Sequence, residues 1–323
     1  MGQGIAGQVV LITGASYGIG AGLARQLANR FTGIRLILAA RSFDRLEEIA
    51  ADCRKAGAEV LVIPTDMTQT EQVQALAAKA IAQFGRVDAI VSNAGYGQMG
   101  PVELIPAEAT ERQFQVNVFG PLTLIRALIP TMRSQGGGRI ILISSLGGRM
   151  AFPFGGMYSA SKFALESLGD VLRMELEPFK IRVSIVEPGP VQTEFFSVVN
   201  QAVAETITDP QNTPYRSAFA KLEHLDRQVN SRAWSCERVA DVIIRALSDR
   251  RPRPRYVAAT GGSILLFLMT KVLPTWFTDR FWQRFYGINL VAKEWQAREL
   301  TGSSAAIDSS AQIGDPDVIQ PDR

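Results

Sequence analysis

Gly7-Gln8-Val9-Val10-Leu11-Ile12-Thr13-Gly14-Ala15-Ser16-Tyr17-Gly18-Ile19-Gly20 decides the fold class. Positions 9–12 are an unbroken apolar run, the pattern of a parallel strand buried on both faces. Three glycines follow at once, and residues 21–28 then carry helical spacing. Strand, glycine-rich turn and helix in that order form a phosphate cradle, because the amides at the helix start face an anion. Gly14 is expected to permit the tight turn, Gly18 to let backbone approach a pyrophosphate, and Gly20 to let helix and strand touch. Ser16, Tyr17 and Ile19 lie inside the turn and are expected to contact the same dinucleotide.

Working outward, apolar runs at 35–40, 60–67, 87–92, 140–144, 181–186 and 256–259 read as further strands. Helical patterns separate most of them. That alternation predicts an α/β fold, a doubly wound parallel sheet covered by helices on both faces. An NAD site places a carboxylate near the end of its second strand to bind the ribose 2′-hydroxyl. Here Ala40 stands in that place, followed by Arg41 and Ser42, a cation and a hydroxyl suited to a 2′-phosphate. NADP is therefore the expected cofactor, and Asp44 keeps NAD as the alternative. Asp66 and Met67 end the third strand, where a carboxylate can bind the adenine amino group. Asn93-Ala94-Gly95 follows the fourth, with residues small enough for backbone to lie against a cofactor.

Tyr158 and Lys162 stand four residues apart, so on a helix they share a face. A free phenol with a pKa of about 10 exchanges protons poorly near neutrality, and a nearby cation lowers that value. At about 4 Å and an effective dielectric near 20, such a pair interacts by roughly 4 kcal/mol, less the cost of desolvating the ammonium. Ser145 lies thirteen positions before Tyr158, just past the expected fifth strand, where doubly wound sheets bind ligands. Ser144 is adjacent, so spacing alone selects between the two serines.

Together these motifs resemble those of the short-chain dehydrogenase/reductase family. Thr13-Gly14-Ala15-Ser16-Tyr17-Gly18-Ile19-Gly20 is similar to its Thr-Gly-x-x-x-Gly-x-Gly, and Asn93-Ala94-Gly95 to its Asn-Ala-Gly, with Ser92 replacing the usual preceding Asn. Asn117, Ser145, Tyr158 and Lys162 match its catalytic set. The segment from Glu187 to Thr193 resembles the one near the nicotinamide, which makes Pro188, Gly189, Val191 and Thr193 expected cofactor contacts. The hydroxysteroid and retinol dehydrogenase branches are nearest in pattern. The resemblance implies a Rossmann-like fold and hydride transfer between nicotinamide and a carbinol carbon. It implies that Tyr158 moves the proton, and that Lys162 lowers the Tyr158 pKa and holds the nicotinamide ribose. It implies that Ser145 steadies the oxyanion and that Asn117 steadies a water near Lys162. It also implies a homo-oligomer paired through the helix at 163–176. Tyr17 departs from relatives that carry a basic residue in the turn and bind NADP.

Composition narrows the classes. The chain has 323 residues, 46% hydrophobic, with net charge +3, so no nucleic-acid surface is expected. A single histidine, His224, excludes mechanisms needing two and leaves no metal site in view. Cys53 and Cys236 fit a reducing compartment, and the start lacks a signal core, so a cytoplasmic location is expected. The predicted partition is a catalytic domain over 1–258, including a substrate loop over 194–234. The resemblance implies that in that loop Phe195, Phe196, Val198 and Val199 line an apolar pocket for a small-molecule substrate; plain core packing is the alternative. An apolar, aromatic extension follows over 259–300, open between a lid, a buried packing face and a peripheral membrane contact. A disordered tail is expected over 301–323. The function expected is NADP-dependent interconversion of an alcohol and a carbonyl. The alternatives are an NAD-linked alcohol dehydrogenase and a non-catalytic nucleotide-sensing protein.

Overall fold

A computed structural model describes residues 5–222 and 233–300. Its centre is a 7-stranded parallel sheet in the order β3-β2-β1-β4-β5-β6-β7. The strands are β1 (Val9–Thr13), β2 (Arg35–Ala40), β3 (Glu59–Pro64), β4 (Ala89–Ser92), β5 (Gly138–Ile143), β6 (Ile181–Pro188) and β7 (Arg255–Ala258). The expected doubly wound architecture is therefore present. The third strand ends at Pro64, short of Asp66, because Asp66 starts a turn: its carboxylate accepts from the Thr68 amide at 2.9 Å and the Thr68 hydroxyl at 2.8 Å.

Alternate side chains of each strand serve opposite faces. Val10, Ile12, Leu36, Leu38, Val91 and Ile141 pack under helices Gly18–Arg30, Phe43–Lys55 and Cys236–Ser248. Val9, Leu11, Ile37, Ile90, Ile140 and Leu142 pack under helices Thr70–Phe84, Gly120–Ser134 and Gly156–Leu176. Strand order reverses between β1 and β4, so their C-terminal ends open a crevice there.

Two segments beyond the sheet are helical. The stretch after 194 is largely helical where described: Phe195–Thr206, a 3-10 turn at Pro210–Asn212, then helix again at 216–222. The extension folds as helix Gly262–Phe267, a π-helical turn Leu268–Val272 and helices Thr275–Tyr286 and Ile288–Leu300. Leu273 and Pro274 break the run, because proline cannot continue the preceding turn. No helix of the described residues is long and apolar enough to cross a membrane. The expectations for His224 and for a tail over 301–323 lie outside the described residues. Cys53 and Cys236 are both free thiols.

Asp88 ties the entry of β4 to β1: its carboxylate accepts the Val9 amide at 2.8 Å and pairs with Arg86. Asp88→Ala leaves the buried Val9 amide unpartnered and is expected to cost about 1–3 kcal/mol in denaturant unfolding, whereas Asp88→Asn retains most of it. Equal stability of wild type and the alanine variant would remove this tie.

Candidate active site

The crevice is built first from backbone. Gly14 and Gly18 adopt φ of 66° and 59°, which L-residues with a Cβ avoid. A Cβ on Gly20 would stand 2.3 Å from the Gly14 carbonyl oxygen, so helix and turn touch as expected. Thr13 Oγ1 accepts the amides of Asn93 and Ala94, each at 3.0 Å. Asn93 Nδ2 donates in return to the Thr13 and Gly14 carbonyls at 3.0 and 3.1 Å. These four bonds hold the ends of β1 and β4 together. Across the crevice, Thr193 packs its methyl 3.3 Å from where a Gly18 Cβ would be.

One cavity of about 740 Å³ runs from this turn to the C-terminal extension. Gly14, Tyr17, Gly18 and Ile19 line one end, with Asn93, Ala94 and Gly95 beside them. Pro188, Gly189, Val191 and Thr193 form an adjoining wall. Ser145, Tyr158 and Lys162 stand in the middle. Leu265, Trp282, Phe285 and Tyr286 close the far end. The shape and donor chemistry fit a dinucleotide at the glycine end: open backbone at a helix N-terminus for the phosphates, and room continuing to the three polar side chains.

Not every expected contact reaches that cavity. Ser16 is buried beneath the turn, and Met67 is buried behind it. Ser42 caps helix Phe43–Lys55, accepting the Arg45 amide at 3.4 Å. Arg41 is exposed at the end of β2, close enough to Tyr17 to act on its phenol electrostatically. Burial raises the Tyr17 pKa, Arg41 and Arg45 oppose that, and Glu194 adds to it. The Arg45–Glu194 ion pair at 3.1 Å joins the two sides of the crevice mouth, and nothing in the sequence pattern pointed to it. Both partners are more than half exposed, so the pair contributes little on its own.

Helix Gly156–Leu176 carries both Tyr158 and Lys162, as the spacing requires, and both are buried. Their electrostatics differ from expectation. The Tyr158 pKa rises above its ordinary 10.0 because burial disfavours phenolate, and the Ser145 hydroxyl beside it offsets part of that. The Lys162 ammonium donates to the Ile143 carbonyl at 2.8 Å and lies 5.9 Å from the Tyr158 ring centroid. Burial lowers the Lys162 pKa to about 8, partly opposed by Glu166 one turn along. Glu166 is itself held well above the carboxylate range by burial and by Glu187, against Arg255 at 3.0 Å.

Ser145 and Ser144 both line the cavity and differ in their partners. Ser145 Oγ accepts the Gly147 amide at 3.0 Å, which leaves its proton for the Tyr158 side of the cavity. Ser144 is buried at the base of the cavity wall, its hydroxyl packed against Gly148. Asn117 lies in a π-helical turn, Gln115–Phe119, a departure from regular helix frequent at functional sites. Its amide grips Tyr96 backbone at both ends, at 3.0 and 3.1 Å, and donates to Ser161 Oγ at 3.0 Å. It thus braces the cavity wall from behind.

Sequence reading missed part of the aromatic end of the cavity. Met150, Phe152 and Phe154 line the cavity from the loop before the tyrosine helix. The signal was there: Met150-Ala151-Phe152-Pro153-Phe154 is an apolar cluster immediately upstream of Tyr158. Phe152 stacks on Tyr286 at 5.5 Å, and Phe154, at an unusual φ of 66°, meets Phe219 at 5.3 Å. Phe195 and Val199 line the cavity as expected, whereas Val198 does not.

Known proteins share this arrangement. The family profile described as short chain dehydrogenase matches residues 8–204. The chain is 34% identical over 258 residues to 17-beta-hydroxysteroid dehydrogenase type 1 of Homo sapiens, covering 77% of this chain and 76% of that protein. It is 31% identical over 277 residues to 3-ketodihydrosphingosine reductase of Bacteroides thetaiotaomicron, covering 85% of this chain and 95% of that one. The solved structure of a short-chain dehydrogenase/reductase from Burkholderia phymatum in complex with NAD matches at a TM-score of 0.73 and 30% identity, over 82% of this chain and 93% of that one.

The buried ammonium has a consequence for stability. Below about pH 8 Lys162 is charged in both folded and unfolded states, and folding bears the full desolvation cost. That cost is released as pH rises from about 8 towards 10.5, because the folded-state pKa is the depressed one. Lys162→Met is expected to be more stable than wild type at pH 7, by up to about 3 kcal/mol less the lost Ile143 hydrogen bond. The gap should shrink in unfolding curves taken towards pH 10; a gap that widens with pH contradicts the assignment.

Proposed function

We propose that this chain, which belongs to the short-chain dehydrogenase family of NAD- or NADP-dependent oxidoreductases, is an NADP-dependent enzyme interconverting an alcohol and a carbonyl on an apolar small molecule. The observation that carries this reading is the single cavity with a phosphate cradle at one end, Ser145, Tyr158 and Lys162 at its middle and aromatic side chains at the other. When bound, the nicotinamide supplies or accepts the hydride. Tyr158 gives the proton to the carbonyl oxygen in reduction. Burial keeps the phenol in its protonated form, the form that donates. Ser145 donates to the same oxygen and stabilises charge developing there. Lys162 holds the ribose hydroxyls, and Asn117 keeps the wall beside Lys162 in place.

NADP is preferred over NAD on the residues of this chain: no carboxylate ends β2, and Arg41 and Arg45 stand at the crevice mouth near Tyr17. An apolar substrate is supported by the Met150, Phe152, Phe154, Leu265 and Trp282 lining, and by relatives named for a steroid and a long-chain ketone. The aromatic segment roofs the substrate end and acts as its lid. Phe163, Val171 and Met174, 41–60% exposed on one face of helix Gly156–Leu176, support pairing with a second copy.

Tyr158→Phe is expected to lower kcat about 10²–10⁴-fold while nucleotide binding, read by fluorescence quenching, is unchanged. Wild-type turnover in that variant, followed at the reduced-nicotinamide absorbance with apolar carbonyls and alcohols, would remove Tyr158 from the reaction. Arg41→Asp is expected to raise the KM for NADP roughly 10- to 100-fold and spare NAD. An unaltered NADP/NAD ratio would refute the 2′-phosphate contact.

A further inference from the structure

The C-terminal extension has two faces with different chemistry. Leu265, Trp282 and Tyr286 look into the cavity, and Trp282 and Tyr286 meet Phe152 at 6.2 and 5.5 Å. The outer face is as aromatic but uncovered: Trp276 is 62% exposed, Phe277 44% and Phe281 42%. At about 100° per residue, Trp276, Phe277, Arg280, Phe281 and Arg284 fall within an arc of roughly 140° on helix Thr275–Tyr286. Asp279, the one acid of that helix, falls outside the arc. These residues and Phe285 form a shallow groove of about 460 Å³. Phe285 also lines the main cavity, so groove and cavity meet at that side chain. Just upstream, Ile264, Phe267, Leu268 and Val272 are 41–68% exposed at helical spacing, with exposed Lys271 beside Val272.

Two occupants suit an exposed apolar face: a second copy or a lipid surface. Charge decides between them. Among the described residues neither Arg280 nor Arg284 pairs with a carboxylate, and Arg280 lies over the Trp276 ring at 6.0 Å. A two-fold contact through this face would bring like cations together without counter-charge. An anionic bilayer supplies that charge, and it accepts Trp and Phe at the level of its headgroups. We propose that the outer face of helix Thr275–Tyr286, with the apolar stripe before it, docks on an anionic phospholipid bilayer without crossing it, and that the apolar substrate enters from the lipid past Phe285. The entry route rests on the proposed function; the docking does not.

The test is co-sedimentation of the full chain with phosphatidylcholine vesicles, with and without phosphatidylglycerol. Binding is expected only where phosphatidylglycerol is present. The double variant Arg280→Ala/Arg284→Ala should lower vesicle affinity about 30-fold, since each basic residue near an anionic surface contributes separately. Trp276→Ser/Phe281→Ser should also lower it, and both double variants should keep wild-type nucleotide binding and melting temperature. No binding to anionic vesicles, or binding indifferent to the arginines, overturns the proposal. So does a concentration-dependent dimer that the Trp276/Phe281 variant dissociates. Vesicle binding by a protein that turns over no carbonyl or alcohol leaves docking standing and removes only the proposed function.

Discussion

Everything at the ligand end depends on how closely the ends of β1 and β4 approach. Thr13 and Gly14 accept four hydrogen bonds from Asn93 and Ala94 across that junction, and glycine at positions 14 and 20 removes the Cβ atoms that would block it. Because the sheet reverses order there, the junction is also where two sets of crossover helices diverge and leave a crevice. A side chain at position 20 would push the Gly18–Arg30 helix off its strand and close the cradle from below.

The second constraint is dielectric. Tyr158 and Lys162 are buried, so each is pushed toward its neutral form. The pair is therefore not the simple phenol-plus-cation that spacing suggests. Spacing fixes which face the two side chains share; it says nothing of the Ile143 carbonyl that holds the ammonium, or of the water removed from both. Carriage of a costly buried ammonium is the kind of local sacrifice that functional sites show.

Much of the site was legible because it is local. The glycine turn, the Asn93-Ala94-Gly95 turn and the Tyr158/Lys162 helix are each set by a few consecutive residues whose pattern has one backbone solution. Position after a strand marks Ser42 and Asp66 as cofactor contacts, and in the structure each also serves the backbone: Ser42 on a helix cap, Asp66 in a turn. Short polar side chains after a strand have two uses, ligand contact and backbone capping, and sequence position does not separate them. The substrate end was hardest, since Phe152, Phe154, Phe219 and Tyr286 meet from three distant segments.

The amino-acid order by itself determined the strand–helix alternation, the phosphate cradle and the shared face of tyrosine and lysine. Each follows from short-range backbone sterics and side-chain period. Tertiary structure alone decided how each serine is hydrogen-bonded, where the ammonium rests, and that an aromatic segment over a hundred residues downstream of Tyr158 lines the far end of the cavity. Those outcomes depend on burial and on contacts between segments far apart in the chain, and neither is encoded in a local pattern.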